Sequence, residues 1–473
     1  GNGGNHLTGD QGDNILASGS GNDILTGLVG NDTYVFGDNA GTDTIIEVTG
    51  GLDTVDFSPA LSGVNFMIGT SNLVVTGTNT VITCVGLYIE NLIGGQGADT
   101  FVFAVGATQN GSIDGNNGHD RLNFSAFTQR RDFYLNEVGS KDGFVGEVID
   151  ILGGFTNIDA LTATQAPNDA LTGMEADSFW NLNGTSYTST NTLDFASFEV
   201  LQGMGGSDVF RITGQRTFHI IRGGAGDDRV EFNPNSTLTL TTLGVEVGYV
   251  DGQNGSDWID YSRINLGDVV IVNLPAEQAT FFYNSNPGSV GAAINFENAV
   301  GGPSNDTFTS SSSDNTFDGG PGDDLFIFLD DWGHDTLTDY QGANTMDFSR
   351  VTASGLVFRL ASVHVLGAGG AVDYTGNNMA HLIGTPQDDQ FIFGYGVQLA
   401  GGTGDIEALG GVNTIDYSAY TTSVSVNLIL QIATGTSGIF HFQNVIGGSG
   451  ADTLVGDAQN NIMRGNGGDD SID

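Results

Sequence analysis

The sequence predicts an all-β solenoid, and three observations predict it. A glycine-rich beat of nine residues recurs in runs, an Asp or Asn holds one place in that beat with an apolar residue two positions later, and stretches long enough for a helix are broken by Gly, Asn, Asp or β-branched residues. At 473 residues the chain exceeds one ordinary compact domain, which leaves several domains or one elongated repeat architecture. Glycine occurs 74 times, yet without a strict three-residue period and with only 8 Pro, so collagen is excluded. With 38% hydrophobic residues and 29 Phe, the chain carries more material to bury than a disordered acidic tail does.

The beat is densest at the N-terminus. Steps of nine give Gly9-Asp-Gln-Gly-Asp-Asn-Ile-Leu-Ala, Ser18-Gly-Ser-Gly-Asn-Asp-Ile-Leu-Thr and Gly27-Leu-Val-Gly-Asn-Asp-Thr-Tyr-Val. The sixth position reads Asn5, Asn14, Asp23 and Asp32, and the eighth reads Leu7, Leu16, Leu25 and Tyr34. A second run begins at Gly447, Gly456 and Gly465, with Asp452, Asn461 and Asp470 at its sixth positions. A third places Asp306, Asn315, Asp324, Asp335 and Asn344 at spacings of nine, nine, eleven and nine, followed two residues on by Phe308, Phe317, Phe326, Leu337 and Met346.

Glycines permit positive φ and expose carbonyl oxygens, while Asp adds a hard anionic ligand beside them. The apolar residue points inward and stacks on its counterpart in the next coil. One such loop supplies half a coordination shell, so an ion needs two neighbouring turns, and binding and winding become one event. A residue that merely forms turns has no reason to keep this beat.

These residues resemble the G-G-x-G-x-D-x-U-x repeat of the RTX, or haemolysin-type, calcium-binding family. The resemblance implies a right-handed parallel β-roll, calcium ions between turns, and type I secretion. Single turns of the same kind run from Gly94 to Asp99, Gly115 to Asp120, Gly203 to Asp208, Gly223 to Asp228 and Gly252 to Asp257, most of them twenty to thirty residues apart, which suits wider β-helix coils.

A longer period overlies the beat. Asp53-Thr-Val-Asp-Phe-Ser recurs in kind at Asp120, Asn191, Asp257, Asn344 and Asn413, with starts 67, 71, 66, 87 and 69 residues apart. Most of these units then carry an alternating strand such as Val424-Ser-Val-Asn-Leu and a line such as Ile89-Glu-Asn-Leu-Ile-Gly-Gly, Phe296-Glu-Asn-Ala-Val-Gly-Gly or Phe442-Gln-Asn-Val-Ile-Gly-Gly. The third unit departs, because Phe198-Glu-Val-Leu-Gln-Gly follows Asp194 almost at once; residues 129 to 195, which include Arg130 and Arg131, are the least regular and the place where an insertion is expected.

The expected organisation is dense nonapeptide coils at 1–57, wider coils at 58–296, dense coils at 297–348, wider coils at 349–442 and dense coils at 443–473, in one continuous solenoid that is a segment of a longer chain. With roughly 20 residues per coil and a strand spacing of about 4.8 Å, its expected length is on the order of 110 Å. The expected metal ligands are Asn14, Asp23, Asp32, Asp43, Asp53, Asp99, Asp120, Asp208, Asp228, Asp257, Asp306, Asp324, Asp335, Asp389, Asp452, Asn461 and Asp470.

Charge points to the same ion. Against 56 Asp plus Glu stand 12 Lys plus Arg, of which Lys141 is the one lysine. Nucleic acid and anionic membrane surfaces are excluded as partners, since both need clustered cations. The net charge of −44 opposes compaction unless bound cations neutralise it. Roughly 22 divalent ions would cancel it, a ceiling rather than a count.

Other chemistry is sparse. Cys84 is the single cysteine and reads as a small core residue, so no intrachain disulfide framework exists. The seven His are scattered without an H-E-x-x-H pair, no G-x-S-x-G elbow occurs, and Lys141 lacks a phosphate-loop setting. Carboxylate pairs such as Asp227-Asp228, Asp323-Asp324 and Asp388-Asp389 fall inside the turns and read as ligands or solvated turn residues. A polysaccharide lyase needs cations to neutralise substrate carboxylates, and the thinly spread Arg do not supply them. No apolar stretch reaches membrane-spanning length.

The expectation is a non-enzymatic, calcium-stabilised extracellular segment, either secreted or at the cell surface: the shaft of a fibre, an adhesin or a surface layer, self-assembly into a filament or layer included. The alternative is the noncatalytic repeat region of a secreted enzyme or toxin.

Overall fold

The structure, a computed structural model, describes residues 3–47, 50–86, 88–243, 246–276, 278–283, 286–289 and 292–473. Almost all regular structure among them is strand, with three short 3-10 turns. The chain forms two compact units, one of Gly1–Arg211, Thr217–Asp228 and Leu240–Gly248, the other of Ile212–Arg216, Arg229–Thr239 and Tyr249–Asp473.

In the first unit each nonapeptide becomes a turn and one three-residue strand: His6–Thr8, Ile15–Ala17, Ile24–Thr26 and Thr33–Val35. Alternate strands pair in parallel, His6 opposite Ile24 and Ile15 opposite Thr33. Two nonapeptides therefore make one coil, and successive coils extend two parallel ladders. So short a strand buries only its central side chain, which the eighth-position residues supply: Leu25 and Tyr34 are fully buried, and Ile45 and Val55 continue their lines. No coil encloses a core alone; each depends on the coil stacked against it.

Aromatic residues extend this stacking. Phe103 lies on Phe124 with ring centroids 4.3 Å apart, and Phe66 on Phe101 at 4.5 Å. In the second unit Phe328 stacks on Phe348 at 4.4 Å and Phe358 on Phe391 at 4.2 Å. Cys84 is buried in the core, as its apolar surroundings in sequence suggested.

The longer period has a structural meaning that spacing alone did not reveal. About twelve residues after most of its starts the chain doubles back. Asn65–Ile68, Asn72–Gly77 and Thr80–Val85 pair antiparallel in sequence order. The first of them pairs in parallel with Thr100–Phe103 and the third with Gly41–Ile46. One reversed strand is thus spliced into an otherwise parallel ladder, without a break in its hydrogen bonding.

The same zigzag occurs at Asp132–Val138, Phe144–Val148 and Ile151–Ile158, inside the stretch where irregularity was expected. It recurs in the second unit at Val357–Arg359, His364–Gly367 and Gly370–Thr375, and begins again with Val269–Asn273 and Gln278–Tyr283. The departure of the third sequence unit has the same origin. Its Asp-Phe-Ala line is the last strand, Thr192–Ala196, of a zigzag with Ser178–Asn181 and Ser186–Thr188, so the turn-back precedes the line instead of following it.

Candidate metal sites

The sixth-position residue of each turn stands just before its strand, which brings the equivalent positions of successive coils above one another. One carboxylate oxygen of each Asp accepts the backbone N–H of the coil before it. Asn5 donates to Asp23 Oδ1 at 2.7 Å and Asp23 to Asp43 Oδ1 at 2.7 Å; Asn14 donates to Asp32 Oδ1 and Asp32 to Asp53 Oδ1, both at 2.8 Å. The line repeats from Asp99 to Asp120 Oδ1 at 2.7 Å, from Asp208 to Asp228 Oδ1 at 2.8 Å, and from Asp452 to Asp470 Oδ1 at 2.9 Å. In the second unit Asp306 donates to Asp324 Oδ1 at 2.7 Å, Asn315 to Asp335 Oδ1 at 2.9 Å and Leu356 to Asp389 Oδ1 at 2.7 Å.

These side chains are inside the protein. Asp23, Asp32, Asp43, Asp53, Asp99, Asp120, Asp208, Asp228, Asp257, Asp306, Asp324, Asp335, Asp389 and Asp452 are all buried. Asn14, Asn461 and Asp470 are half-buried. The Oδ2 atoms of Asp23, Asp32, Asp43, Asp120, Asp208, Asp324 and Asp335 are buried without a hydrogen-bond partner. A carboxylate oxygen so placed is costly unless a cation or a proton meets it.

The first glycine of the motif makes room for that cation. A Cβ on Gly203 would sit 2.0 Å from Asp208 Oδ2 and 2.3 Å from the carbonyl oxygen of Gly223 in the next coil. At Gly94 the same point is 2.2 Å from Asp99 Oδ2 and 2.5 Å from Gly115 O; at Gly301 it is 2.6 Å from Asp306 Oδ2 and 2.3 Å from Gly319 O. An acid oxygen of one coil and a carbonyl oxygen of the next therefore converge on a cradle that any other side chain would fill. Hard oxygen donors of this kind suit calcium, and the residues present fit it.

Burial also shifts protonation. It raises Asp53, Asp99, Asp208, Asp228 and Asp306 to about 7, Asp335 to about 8, and Asp120 and Asp324 to about 9. Asp389 rises less, to about 6, because Leu356 and Thr385 donate hydrogen bonds to its carboxylate. Desolvation of the charged form is the largest cause throughout.

Sequence reasoning missed several members of these lines. Glu90 Oε2 accepts the Asp53 N–H at 2.8 Å, Glu297 Oε2 that of Asp257 at 3.0 Å, Glu199 Oε2 that of Asp169 at 3.1 Å, and Gln443 Oε1 that of Asn413 at 2.7 Å. The recurring Glu-Asn and Gln-Asn lines, and the Glu-Val line at Glu199, thus take the sixth-position role where no glycine turn precedes, and their repetition was the available signal. Two carboxylate groups went unrecognised as clusters, Asp32 with Glu47 and Asp53, and Asp120 with Asp142 and Asp159; the ligand oxygens of each lie within 4.8 Å of one another.

The second Asp of the Asp-Phe-Ser lines does something else. Asp56, Asp260, Asp347 and Asp416 each accept, through Oδ1, the N–H two residues on, at 2.7–2.8 Å, which closes a local turn.

Buried carboxylates in register on stacked glycine turns define a cation-binding repeat solenoid in each unit. The family model described as RTX calcium-binding nonapeptide repeat (4 copies) matches residues 1–34, 297–328 and 445–473, so these stretches are RTX repeats, and such repeats bind calcium. No curated protein matches the chain. Asp99, Asp120, Asp208, Asp228, Asp257 and Asp389 lie outside the matched stretches and share their turn geometry.

Proposed function

We propose that this chain is a calcium-stabilised, non-enzymatic structural segment of a secreted or cell-surface protein, the shaft of a fibre, adhesin or surface layer, which folds when it meets calcium outside the cell. The observation that carries the reading is the set of buried Asp, Asp23, Asp32, Asp43, Asp120 and Asp208 in the first unit and Asp324 and Asp335 in the second, whose Oδ2 atoms have no hydrogen-bond partner. Such a set is a liability in the metal-free chain and a binding array in calcium.

Two of the twelve Lys and Arg sit in buried or half-buried ion pairs. Arg131 pairs with Asp150 and lies 4.8 Å over the Phe127 ring, and Arg229 pairs with Asp260. No helix among the described residues is long and apolar enough to cross a membrane. At the low calcium of a cytosol, repulsion within a chain of net charge −44 keeps it extended and fit for export. Millimolar calcium then stabilises the folded form by mass action, because the ligand binds that form alone.

Circular dichroism of the whole chain tests this. A β spectrum in millimolar calcium that collapses in excess chelator and returns on adding calcium is expected. An unchanged β spectrum in chelator overturns it.

A further inference from the structure

Two acids stand where the repeat asks for a glycine. Ile24–Thr26 pairs with Gly41–Ile46, Ile24 opposite Thr44 and Leu25 opposite Ile45, which sets Glu47 in the coil next to Gly27 at the matching position. In the second unit Thr316 lies opposite Thr336 and Asp318 opposite Thr338, which sets Asp339 against Gly319 in the same way. The local sequences agree: Gly41-Thr-Asp-Thr-Ile-Ile-Glu and Gly333-His-Asp-Thr-Leu-Thr-Asp, each acid fifteen residues after a sixth-position Asp, Asp32 or Asp324.

Asp339 turns back into the cradle that an ordinary coil fills with a glycine carbonyl, and Glu47 brings its carboxylate to Asp32 and Asp53 beside the matching cradle at Gly27, where the Tyr34 hydroxyl stands 2.6 Å from the Cβ position. A Cβ on Gly319 would lie 2.2 Å from Asp339 Oδ2 and 2.5 Å from Asp324 Oδ2. Both oxygens are buried without a hydrogen-bond partner, and each residue is 1% exposed. The other oxygen of Asp339 is held in place, accepting the Gln341 N–H at 2.9 Å and Asn378 Nδ2 at 3.3 Å. In the first unit Asp32, Glu47 and Asp53 present carboxylate oxygens within 4.8 Å of one another, Asp32 is fully buried, and its Oδ2 has no partner. Tyr34 steadies Glu47: its hydroxyl accepts the Gly27 N–H at 2.7 Å and donates to Glu47 Oε2.

We propose that Asp32–Glu47–Asp53 and Asp324–Asp339 are a second class of divalent-cation site, one in each unit, which takes calcium more tightly than the glycine-carbonyl cradles and fills first. Replacing a neutral carbonyl by a carboxylate adds a full charge to the ligand set, the variable that most directly raises calcium affinity in oxygen sites. The inference rests on the calcium reading above and goes beyond it, because the acids lie outside the nonapeptide and each follows an eleven-residue step between sixth positions, Asp32 to Asp43 and Asp324 to Asp335.

Equilibrium dialysis of the whole chain across a calcium titration, with bound ions counted per chain, provides the test. Glu47→Gln and Asp339→Asn keep shape and hydrogen-bonding capacity while removing the charge. Each is expected to weaken one tightly bound ion by about tenfold or more. The double variant should lose the tight class and still show the β spectrum at saturating calcium. Wild type that binds calcium in a single affinity class, or variants that bind as wild type does, overturn the proposal: the paired acids then share a proton instead of a metal ion. Failure of the broader reading is separate, since it appears as wild type binding no calcium at all.

Discussion

A single residue type does three different jobs in this chain, and position in the turn decides which. Sixth-position Asp, apart from the half-buried Asp470, is buried with one oxygen bonded to the preceding coil; the Asp of the Asp-Phe-Ser lines closes its own turn; Asp10 is exposed and accepts the Gly12 N–H, which holds its carboxyl below the usual range. The first role was legible in sequence because nine-residue spacing tied Asp to glycine before it and an apolar residue after it. Glu90 and Glu297 were not legible as members of the same lines, because they lack the glycine frame and reach the position with a longer side chain. The glycines themselves give a sharp expectation. Gly203→Ala forces a Cβ to within 2.0 Å of Asp208 Oδ2, so the cradle must open, whereas Gly37→Ala meets nothing within 4 Å. In calcium, the first should lower stability to denaturant by about 1–3 kcal/mol, while the second should stay within about 0.5 kcal/mol of wild type. Equal effects would show that the cradle is not where the ion sits.

At the scale of the element, strands of three residues have almost no stability of their own, and packing between coils replaces it. The inward residue of each strand was readable from sequence: Phe308, Phe317, Phe326, Leu337 and Met346 are all buried. Strand direction was not. Alternation of apolar and polar residues has the same period whichever way a strand runs, so Leu73 and Val75 of the reversed strand Asn72–Gly77 carry no mark of reversal. Only the interval between recurring lines hinted at extra strands. A stacked aromatic tests how local the packing is. Phe391 is fully buried and lies 4.2 Å from Phe358, so Phe391→Ala should cost about 3–5 kcal/mol in calcium-saturated unfolding. In a stacked-repeat fold the loss should concentrate in neighbouring coils, seen as faster amide exchange in Val357–Arg359 and Thr414–Asp416 with Ile24–Thr26 unchanged.

For the whole molecule, the deciding quantity is the charge that folding must bury. Composition announced the excess of 56 acids over 12 bases, but not which acids the fold desolvates. Among those it desolvates, Asp53, Asp99, Asp120, Asp208, Asp228, Asp306, Asp324, Asp335 and Asp389 have folded-state values of about 6 to 9, above the ordinary carboxylate value, whereas at Asp23 desolvation is outweighed by the hydrogen bonds from Asn5, which hold the carboxyl below it. Without metal, the folded chain therefore binds more protons than the unfolded chain between that ordinary value and about 9. Stability of the metal-free fold is thus fully present in acid and is lost as pH rises through the folded values, the reverse of ordinary acid denaturation. Calcium competes with those same protons, so its affinity should move the other way and weaken as pH falls below about 7. Circular dichroism followed from pH 4 to pH 9, in chelator and in millimolar calcium, separates the two: β structure should decline with rising pH in the first series and hold near neutrality in the second. A metal-free chain that instead gains structure as pH rises would mean that buried carboxylates are already satisfied in the absence of any cation, and proton and calcium would then have no common site to contest.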